Sequence, residues 1–262
     1  MNKANSDISV IVTAHHEGRL AHRTMRSLFR AVEYARERNV SCEIVVVMDK
    51  PDDNTKDYFS RYDGSKIVVR AVDFGDPGLS RNYGVSASSG KYIAFLDADD
   101  LFGETWLKAA YEEARNIKGE GVFHPEYVIC FERENWIMRC KNMDDSDFYL
   151  SNLIEHNCWN SVHFLAQKSL LIENPFIGTP IDSGFGYEDW HWNCEIIAKG
   201  IRVRLVPETC VFYRKKKHGS RNAVHNHNNV LIPPSKLFAP AKYSALLEDE
   251  KIRKTLQQKR PE

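Results

Sequence analysis

The sequence predicts an α/β fold with a mostly parallel central sheet and a C-terminal extension. Over the first hundred residues, short runs of β-branched residues alternate with longer stretches at helical spacing, which is typical of βαβ units. The run Ile44–Met48 is apolar without interruption, as expected of a strand covered on both faces of a parallel sheet. With 262 residues, 42% of them hydrophobic, the chain is long enough to bury one large core.

The elements of the first half follow from local signals. Ile8–Thr13 has the composition of a first strand, and Arg19–Arg38 carries its apolar side chains at helical spacing. Asp76 is a suitable N-cap for a helix with Pro77 at its first position, and Gly90 ends that segment. The other strands predicted in this half cover residues 43–48, 66–72 and 92–96, with a short helix after residue 54.

The second half mixes strands, helices and loops. The predicted elements, in chain order, are a helix near 104–117, a hairpin at 127–140, a strand at 161–166, a helix at 188–199, and a closing pair of strands at 202–206 and 210–213. The segment 222–240 is rich in Asn and Pro, so we expect a loop or a mobile lid there.

Composition restricts the class of protein and its partners. Every apolar run is far shorter than the roughly 20 residues that cross a bilayer, and no apolar leader opens the chain, so we expect a cytoplasmic protein. The six cysteines form no C-x-x-C pair, which argues against a zinc site.

Charge is distributed unevenly along the chain. Residues 1–198 hold 21 basic and 31 acidic side chains, whereas residues 199–262 hold 15 basic and 5 acidic side chains. We predict no nucleic-acid partner; the basic tail suits either a solvated end or peripheral contact with the anionic inner face of a membrane.

An acidic cluster follows the strand predicted at residues 92–96. Asp97, Asp99 and Asp100 bring three carboxylates to the end of an apolar run, where their repulsion calls for a compensating cation. Mg²⁺ is commonly held by one or two carboxylates together with substrate phosphates. The alternative is a helix N-cap followed by an acidic surface. Since ligands bind beyond the carboxyl ends of strands in open α/β sheets, this cluster should share a crevice with residues 14–17 and 49–53.

The stretch 79–100, which reads L-S-R-N-Y-G-V-S-A-S-S-G-K-Y-I-A-F-L-D-A-D-D, resembles the family 2 glycosyltransferases of the GT-A fold. Their pattern runs A-R-N-x-G-x-x-x-A-x-G-x-Y-I-x-F-L-D-x-D-D. The resemblance covers residues 8 to about 221. It includes Val10–Glu17, Val46–Thr55 with Met48 in place of the family's first Asp, and Gly184–Trp190 with the Glu-Asp pair.

The resemblance implies a Rossmann-like GT-A fold and an inverting, single-displacement transfer of a sugar from a nucleoside-diphosphate sugar, with UDP as the commonest nucleotide. It makes Asp189 the general base, and Asp99 a ligand of a divalent metal (Mg²⁺ or Mn²⁺) with His218 as a further ligand. The acceptor would be a hydroxyl of a glycan or lipid-linked sugar, as in surface polysaccharide synthesis. The implied nucleotide-sugar contacts are Thr13, Glu17, Asp49, Arg81, Asp97, Ala98 and Arg221, and Glu188 is an implied acceptor contact. Because sugars stack on exposed aromatic faces, we also predict Trp190 and Trp159 as platforms for the acceptor sugar.

The resemblance also implies a domain organisation. Residues 1–221 would form the glycosyltransferase domain, with a nucleotide-binding half at 1–102 and an acceptor-binding half at 103–221. Residues 222–262 would add a loop and a basic helical tail.

The sequence can be compared with three other classes of protein. A degenerate family member that binds nucleotide or glycan without turnover remains an alternative, because His15-His16 and Met48 depart from the family pattern. A nucleotide-sugar pyrophosphorylase would need a Gly-rich phosphate loop near residues 13–23, and a dinucleotide dehydrogenase would need G-x-G-x-x-G after the first strand; the sequence has neither. Asp189 has a structural alternative as well, as one of two acids that stabilise a helix N-terminus.

Overall fold

The structure is a computed structural model that describes residues 6–62, 67–117, 119–159, 162–216, 224–225 and 227–258. Its strands are β1 (Ile8–Ala14), β2 (Cys42–Asp49), β3 (Ile67–Val72), β4 (Tyr92–Asp97), β5 (Leu101–Phe102), β6 (Gly121–Glu132), β7 (Trp136–Arg139), β8 (Leu165–Gln167) and β9 (Arg202–Lys215). Its helices are α1 (Ala21–Arg36), α2 (Asp53–Ser60), α3 (Pro77–Ala87), α4 (Trp106–Asn116), α5 (Asn152–Glu155), α6 (Lys168–Glu173), α7 (Glu188–Ala198) and α8 (Pro240–Gln258). Among the described residues, no helix combines the length and apolar character needed to cross a bilayer.

The described strands form one sheet in the order β3-β2-β1-β4-β8-β6-β9-β5, with β7 paired to β6. Strands β3, β2, β1 and β4 run parallel, β8 is antiparallel to both of its neighbours, and the long β6–β9 ladder is parallel again. This arrangement confirms the predicted α/β class with its mostly parallel sheet. From β1 the chain passes to β2 on one side, and β4 pairs on the other, so a crevice opens beyond the ends of β1 and β4.

The core lies on both faces of the parallel strands. The middle residues of β1 and β2 are buried, as the uninterrupted apolar runs predict. Helix α1 covers one face with a stripe that includes Met25 and Leu28, both fully buried. Burying a side chain of this size stabilises the fold by about 1.5–3 kcal/mol, so α1 is fixed against the sheet by its apolar face.

Helix α3 reaches the sheet through glycines. A Cβ at Gly84 would lie 2.5 Å from Cγ2 of Ile11, and a Cβ at Gly90 would lie 2.6 Å from the backbone nitrogen of Ser9. These separations are shorter than van der Waals contact, so only glycine lets this segment approach β1 so closely. The helix itself begins as predicted, because Asp76 accepts a hydrogen bond from Leu79 N at 3.0 Å and Pro77 is its first residue.

Two predicted elements of the second half differ from the structure. Residues 202–206 and 210–213 are not a pair of strands but one continuous strand, β9, that runs parallel to β6. The interruption at Glu208, which has a φ of 58°, produces a register shift opposite Pro125 and Tyr127 rather than a turn. The strand predicted at residues 161–166 is limited to Leu165–Gln167, because Val162, His163 and Phe164 are buried without a strand partner.

The predicted hairpin is confirmed by the antiparallel pairing of β6 with β7 from Tyr127–Arg139 to Cys130–Trp136. The C-terminal segment packs against α7, where Glu195 accepts hydrogen bonds from Ser235 Oγ at 2.9 Å and Lys236 N at 2.7 Å. Leu237 is fully buried there. The chain therefore remains attached to the domain after residue 224 and leads into α8.

Candidate functional site

The carboxyl ends of β1, β2 and β4 open into one cleft with a cavity of about 590 Å³, a volume within the range of small-molecule sites. The predicted convergence of three strand ends is confirmed, because residues that follow each strand line the cleft. The candidate site residues from the sequence that line it include Thr13, Glu17, Asp49, Arg81, Asp97, Asp99, Asp100, Glu188, Asp189 and Trp190.

Asp97 is fixed at the tip of β4 by two neighbours. Thr13 lies opposite Asp97 in the β1–β4 register, and its hydroxyl donates a hydrogen bond to Asp97 Oδ1 at 2.6 Å. The Arg81 guanidinium, on α3, donates to the same oxygen at 3.0 Å. Burial alone would raise the pKa of Asp97, but the charges of Arg81 and His163 outweigh it and lower that pKa. The carboxylate is therefore ionised and held in one orientation.

Arg81 connects the two halves of the cleft. Its side chain is only 5% exposed, and it donates to Glu188 Oε1 at 2.5 Å while it also contacts Asp97. Burial opposes its charge, but the two carboxylates raise its pKa above the ordinary value. Because Glu188 begins α7, this buried cation fixes the start of α7 relative to the tip of β4.

Asp99 and Asp100 each have a basic partner. Lys216 Nζ lies 2.7 Å from Asp99 Oδ2, and His163 Nε2 lies 3.2 Å from Asp100 Oδ2. Burial, followed by the charge of Asp100, raises the pKa of Asp99 to about 7, although Lys216 acts in the opposite direction. Burial also raises the pKa of Asp100. The cluster thus attracts positive charge strongly, as the sequence predicts.

Asp189 lies in the first turn of α7. Tyr187, with a φ of 56°, is in the left-handed region and turns the chain into the helix. Asn157 donates a hydrogen bond from Nδ2 to Asp189 Oδ2 at 3.1 Å. A helix N-terminus favours an ionised acid, but burial and the charge of Glu188 outweigh that effect and raise the pKa of Asp189 to about 6. A carboxyl with this pKa can accept a proton near neutral pH.

The Asp49 carboxylate holds the loop that leads into α3. It accepts hydrogen bonds from the backbone nitrogens of Phe74, Gly75 and Asp76 at 2.8–2.9 Å and from Ser80 Oγ at 2.9 Å. These bonds position the loop that leads into α3, along one wall of the cleft. The predicted contact of Asp49 with the base or ribose remains a prediction.

Two of the predicted contact residues do not face the cleft. Trp159 is fully buried and stacks on His124 and Phe148, so the prediction that it forms a sugar platform is wrong. Ala98 is 1% exposed, its nitrogen donates to Thr13 O, and its carbonyl accepts from Thr24. Its backbone groups therefore serve the fold rather than a ligand. Trp190, in contrast, is half-buried at the cleft and donates from Nε1 to Leu153 O at 3.0 Å.

Lys216, His163 and Asn157 line the cleft but are not singled out by sequence reasoning. Lys216 lies in a run of four basic residues at 214–217, and composition does not tell which of these cations turns inward. His163 and Asn157 come from loops far from their partners in sequence, so no local pattern could identify them.

The residues around Asp99 fit a divalent cation. Glu17 and Asp99 already share one positive charge, because the Lys216 ammonium lies 3.3 Å from Glu17 Oε1 and 2.7 Å from Asp99 Oδ2. Within the described ranges, no group of three or more His, Cys, Asp or Glu side chains could hold a metal. A bound ion would therefore take many of its ligands from phosphate and water, as Mg²⁺ commonly does. His218 and Arg221 lie outside the described residues.

Comparison with known proteins gives a consistent result. The family model described as Glycosyl transferase family 2 matches residues 9–175. The poly(ribitol-phosphate) beta-N-acetylglucosaminyltransferase TarP of Staphylococcus aureus (strain N315) is 25% identical over 162 residues, which are 56% of this chain and 47% of TarP. The chain thus spans about half the length of this relative.

Solved structures show the same fold. The structure of S. aureus TarS 1–349 in complex with UDP-GlcNAc superposes with a TM-score of 0.61 at 18% identity, over 81% of this chain and 60% of that one. The mannosyltransferase PcManGT from Pyrobaculum calidifontis, in complex with GDP-Man and Mn²⁺, gives a TM-score of 0.57 at 18% identity, over 83% of this chain and 59% of that one. These superpositions confirm the expected GT-A fold.

Proposed function

The chain belongs to glycosyl transferase family 2, and we propose that it transfers a sugar from a nucleoside-diphosphate sugar to an acceptor hydroxyl with inversion at the anomeric carbon. One observation carries the proposal: buried Arg81 joins Asp97 to Glu188 and so holds the acidic strand tip and the base Asp189 on one cleft. An inverting transfer needs a leaving-group site and a base on opposite sides of one reacting carbon.

The donor half of the proposal rests on Thr13, Arg81 and Asp97. Asp97 is ionised and oriented, so its carboxylate is available to accept hydrogen bonds from the ribose or the donor sugar. Asp99, with Glu17 beside it, would hold a Mg²⁺ or Mn²⁺ ion. When bound, such an ion neutralises the charge that develops on a departing diphosphate. The Mn²⁺ complex of PcManGT supports this choice of metal.

The acceptor half rests on Asp189. At neutral pH its carboxyl is mostly ionised, and a pKa of about 6 makes it a better proton acceptor than an ordinary Asp. In the proposed step, Asp189 takes the proton of the acceptor hydroxyl while the oxygen attacks the anomeric carbon and the nucleoside diphosphate leaves. Trp190 and Glu188 lie beside it on the acceptor side.

The substrates are proposed from the relatives. The UDP-GlcNAc complex of TarS supports a UDP-linked donor, and the similarity to TarP, a poly(ribitol-phosphate) beta-N-acetylglucosaminyltransferase, supports a glycan or lipid-linked acceptor in surface polysaccharide synthesis. We further propose a cytoplasmic location, with the basic tail in peripheral contact with the membrane. The division into a nucleotide half (1–102), an acceptor half (103–221) and a tail remains a proposal, as do the roles of His218 and Arg221.

Replacement of Asp99 by Ala tests this function. Release of nucleoside diphosphate from UDP-sugars and GDP-sugars would be measured with Mn²⁺, with Mg²⁺ and after chelation. Since removal of one electrostatic stabiliser of a transition state typically costs about 10²–10³ in rate, we expect Asp99→Ala to lose at least this factor and its response to chelators. Asp57→Ala, at an exposed acid on α2, is the matched control.

Two outcomes would contradict the proposal. If Asp99→Ala kept both the rate and the response to chelators, the acidic cluster would not serve the leaving group. If the wild type bound nucleotide but released none from any donor with any acceptor, the alternative of a binding protein without turnover would be correct.

A further inference from the structure

Lys216 is the first residue after β9, and its side chain reaches into the cleft. Its ammonium contacts Asp99 Oδ2 at 2.7 Å and Glu17 Oε1 at 3.3 Å, and the side chain is 21% exposed. The ammonium therefore lies between the two carboxylates that would hold a metal ion.

The carboxylates around Lys216 have different basic partners. Asp97 and Asp100, the other carboxylates of the cluster, pair with Arg81 and His163, and Arg81 also pairs with Glu188. Asp99 and Glu17 share the ammonium of Lys216. That ammonium carries one positive charge, whereas a divalent ion in its place would carry two and would attract both carboxylates more strongly.

From this arrangement we propose that Lys216 is an exchangeable counter-ion. It neutralises Asp99 and Glu17 in the ligand-free protein and leaves them for the diphosphate when a divalent ion binds, so that metal and nucleotide bind cooperatively. The inference rests on the proposed function, because it assigns a residue to the binding of the same metal and the same diphosphate.

The exchange follows from elementary electrostatics. A divalent ion on Asp99 would repel the ammonium that lies 2.7 Å from the same carboxylate, and a lysine carries its charge on a flexible four-carbon chain. A diphosphate offers that ammonium new oxygen partners. The neighbouring Arg214 is not free to move in this way, since it is fixed by hydrogen bonds to Asp99 O at 2.8 Å and Glu132 Oε2 at 2.5 Å.

The test measures Mn²⁺ binding, from the electron paramagnetic resonance signal of free Mn²⁺, with and without saturating UDP or GDP. In the wild type, Mn²⁺ alone has to displace Lys216, and we expect nucleotide to tighten Mn²⁺ binding by roughly tenfold or more. In Lys216→Met nothing has to be displaced, so we expect Mn²⁺ alone to bind roughly tenfold tighter than to the wild type. The effect of nucleotide on Mn²⁺ affinity should then be smaller than in the wild type, because only direct coordination of the ion by the diphosphate remains.

Two control variants isolate the effect. Lys215→Met removes an adjacent ammonium that pairs with Glu134 at 2.8 Å and should leave Mn²⁺ binding unchanged. Lys216→Arg retains the charge and should retain both weak binding of Mn²⁺ alone and the cooperativity. Circular dichroism would show whether Lys216→Met folds. If it does not, Lys216→Arg still tests the inference, because strong Mn²⁺ binding by the Arg variant without nucleotide would contradict the exchange.

The outcomes separate this inference from the proposed function. Two results would contradict the inference: Lys216→Met could tighten Mn²⁺ binding by the same factor with and without nucleotide, or it could leave Mn²⁺ binding unchanged. In either case Lys216 would not be exchanged, and the proposed function would be unaffected. If the wild type bound neither Mn²⁺ nor nucleotide, the proposed function would fail and the exchange with it. A loss of cooperativity confined to Lys216→Met supports the exchange.

Discussion

Replacement of Asp189 by Asn should slow transfer strongly and at the same time stabilise the fold. The amide has nearly the shape of the carboxylate, and its oxygen can still accept the hydrogen bond that Asn157 donates at 3.1 Å. It cannot act as a base. The substitution therefore removes one charge from a crowded acidic site without creating a cavity.

The effect on stability follows from the raised pKa. An Asp whose pKa rises from 3.8 to about 6 in the folded protein makes the ionised native state less favourable by at most about 3 kcal/mol. The folded state binds the proton more tightly than the unfolded state, so this cost is absent below pH 4, develops between pH 4 and 6, and is complete above pH 6. Asn removes this cost but remains a polar group that must be desolvated in the cleft, so we expect a gain on the order of 1–2 kcal/mol at pH 7.5.

The effect on activity has the opposite sign. Loss of a general base typically costs about 10²–10⁴ in rate, and we expect a loss of this size in kcat for Asp189→Asn. In the wild type, kcat/KM should fall about tenfold per pH unit below pH 6, because protonation of Asp189 removes the base. The residual activity of the variant should not show this fall in kcat/KM below pH 6.

The assays are nucleoside-diphosphate release as a function of pH, and urea denaturation at pH 4 and pH 7.5. Asp182→Asn, at an exposed acid seven residues earlier, is the control and should change neither. If the Asn variant lost stability at pH 7.5, or if it kept more than a tenth of the wild-type rate, the assignment of Asp189 as a buried, ionised base would be refuted.

Two further predictions concern the framework of the site. Arg81→Met leaves Asp97 and Glu188 without their buried cation and should lower the free energy of unfolding by about 3–5 kcal/mol. If urea denaturation showed a decrease of less than about 1 kcal/mol, the ion pairs would not hold the cleft together. Gly90→Ala places a Cβ 2.6 Å from Ser9 N and should cost about 1–3 kcal/mol; an unchanged melting temperature would show that the segment between α3 and β4 does not need this close approach to β1.

Gly178→Ala is the control for the glycine prediction. A Cβ at Gly178 would meet Leu79 Cδ1 at 3.5 Å, which is an ordinary contact, so the free energy of unfolding should change little. The comparison separates a steric effect from the general loss of backbone freedom that any Gly-to-Ala change causes in the unfolded chain.

Much of the donor side could be predicted from the sequence because its signals are local. The apolar runs of β1, β2 and β4 define the parallel strands, and parallel-sheet geometry then brings the residues at their ends together whatever those residues are. Thr13 and Asp97 are opposite in register for this reason. The helix cap at Asp76 and the acidic residues at the end of β4 can also be predicted, because each signal lies within a few residues of sequence.

The acceptor side depends on contacts between distant parts of the chain. Arg81 and Glu188 are 107 residues apart in sequence, and Lys216 reaches Glu17 across 199 residues. Nothing in the local pattern of Trp159 distinguishes a buried aromatic side chain from an exposed sugar platform. The register shift in β9 likewise follows from its pairing with β6 rather than from its own residues.

The family, the parallel sheet and the acids at its edge can be inferred from the order of the residues. The basic partner of each acid, and the pKa of that acid, can be assigned only in the folded chain. Strands and helix caps depend on neighbours along the chain, whereas burial and charge pairing depend on neighbours in space. For Asp189, burial and the charge of Glu188 outweigh the helix terminus that the sequence alone reveals.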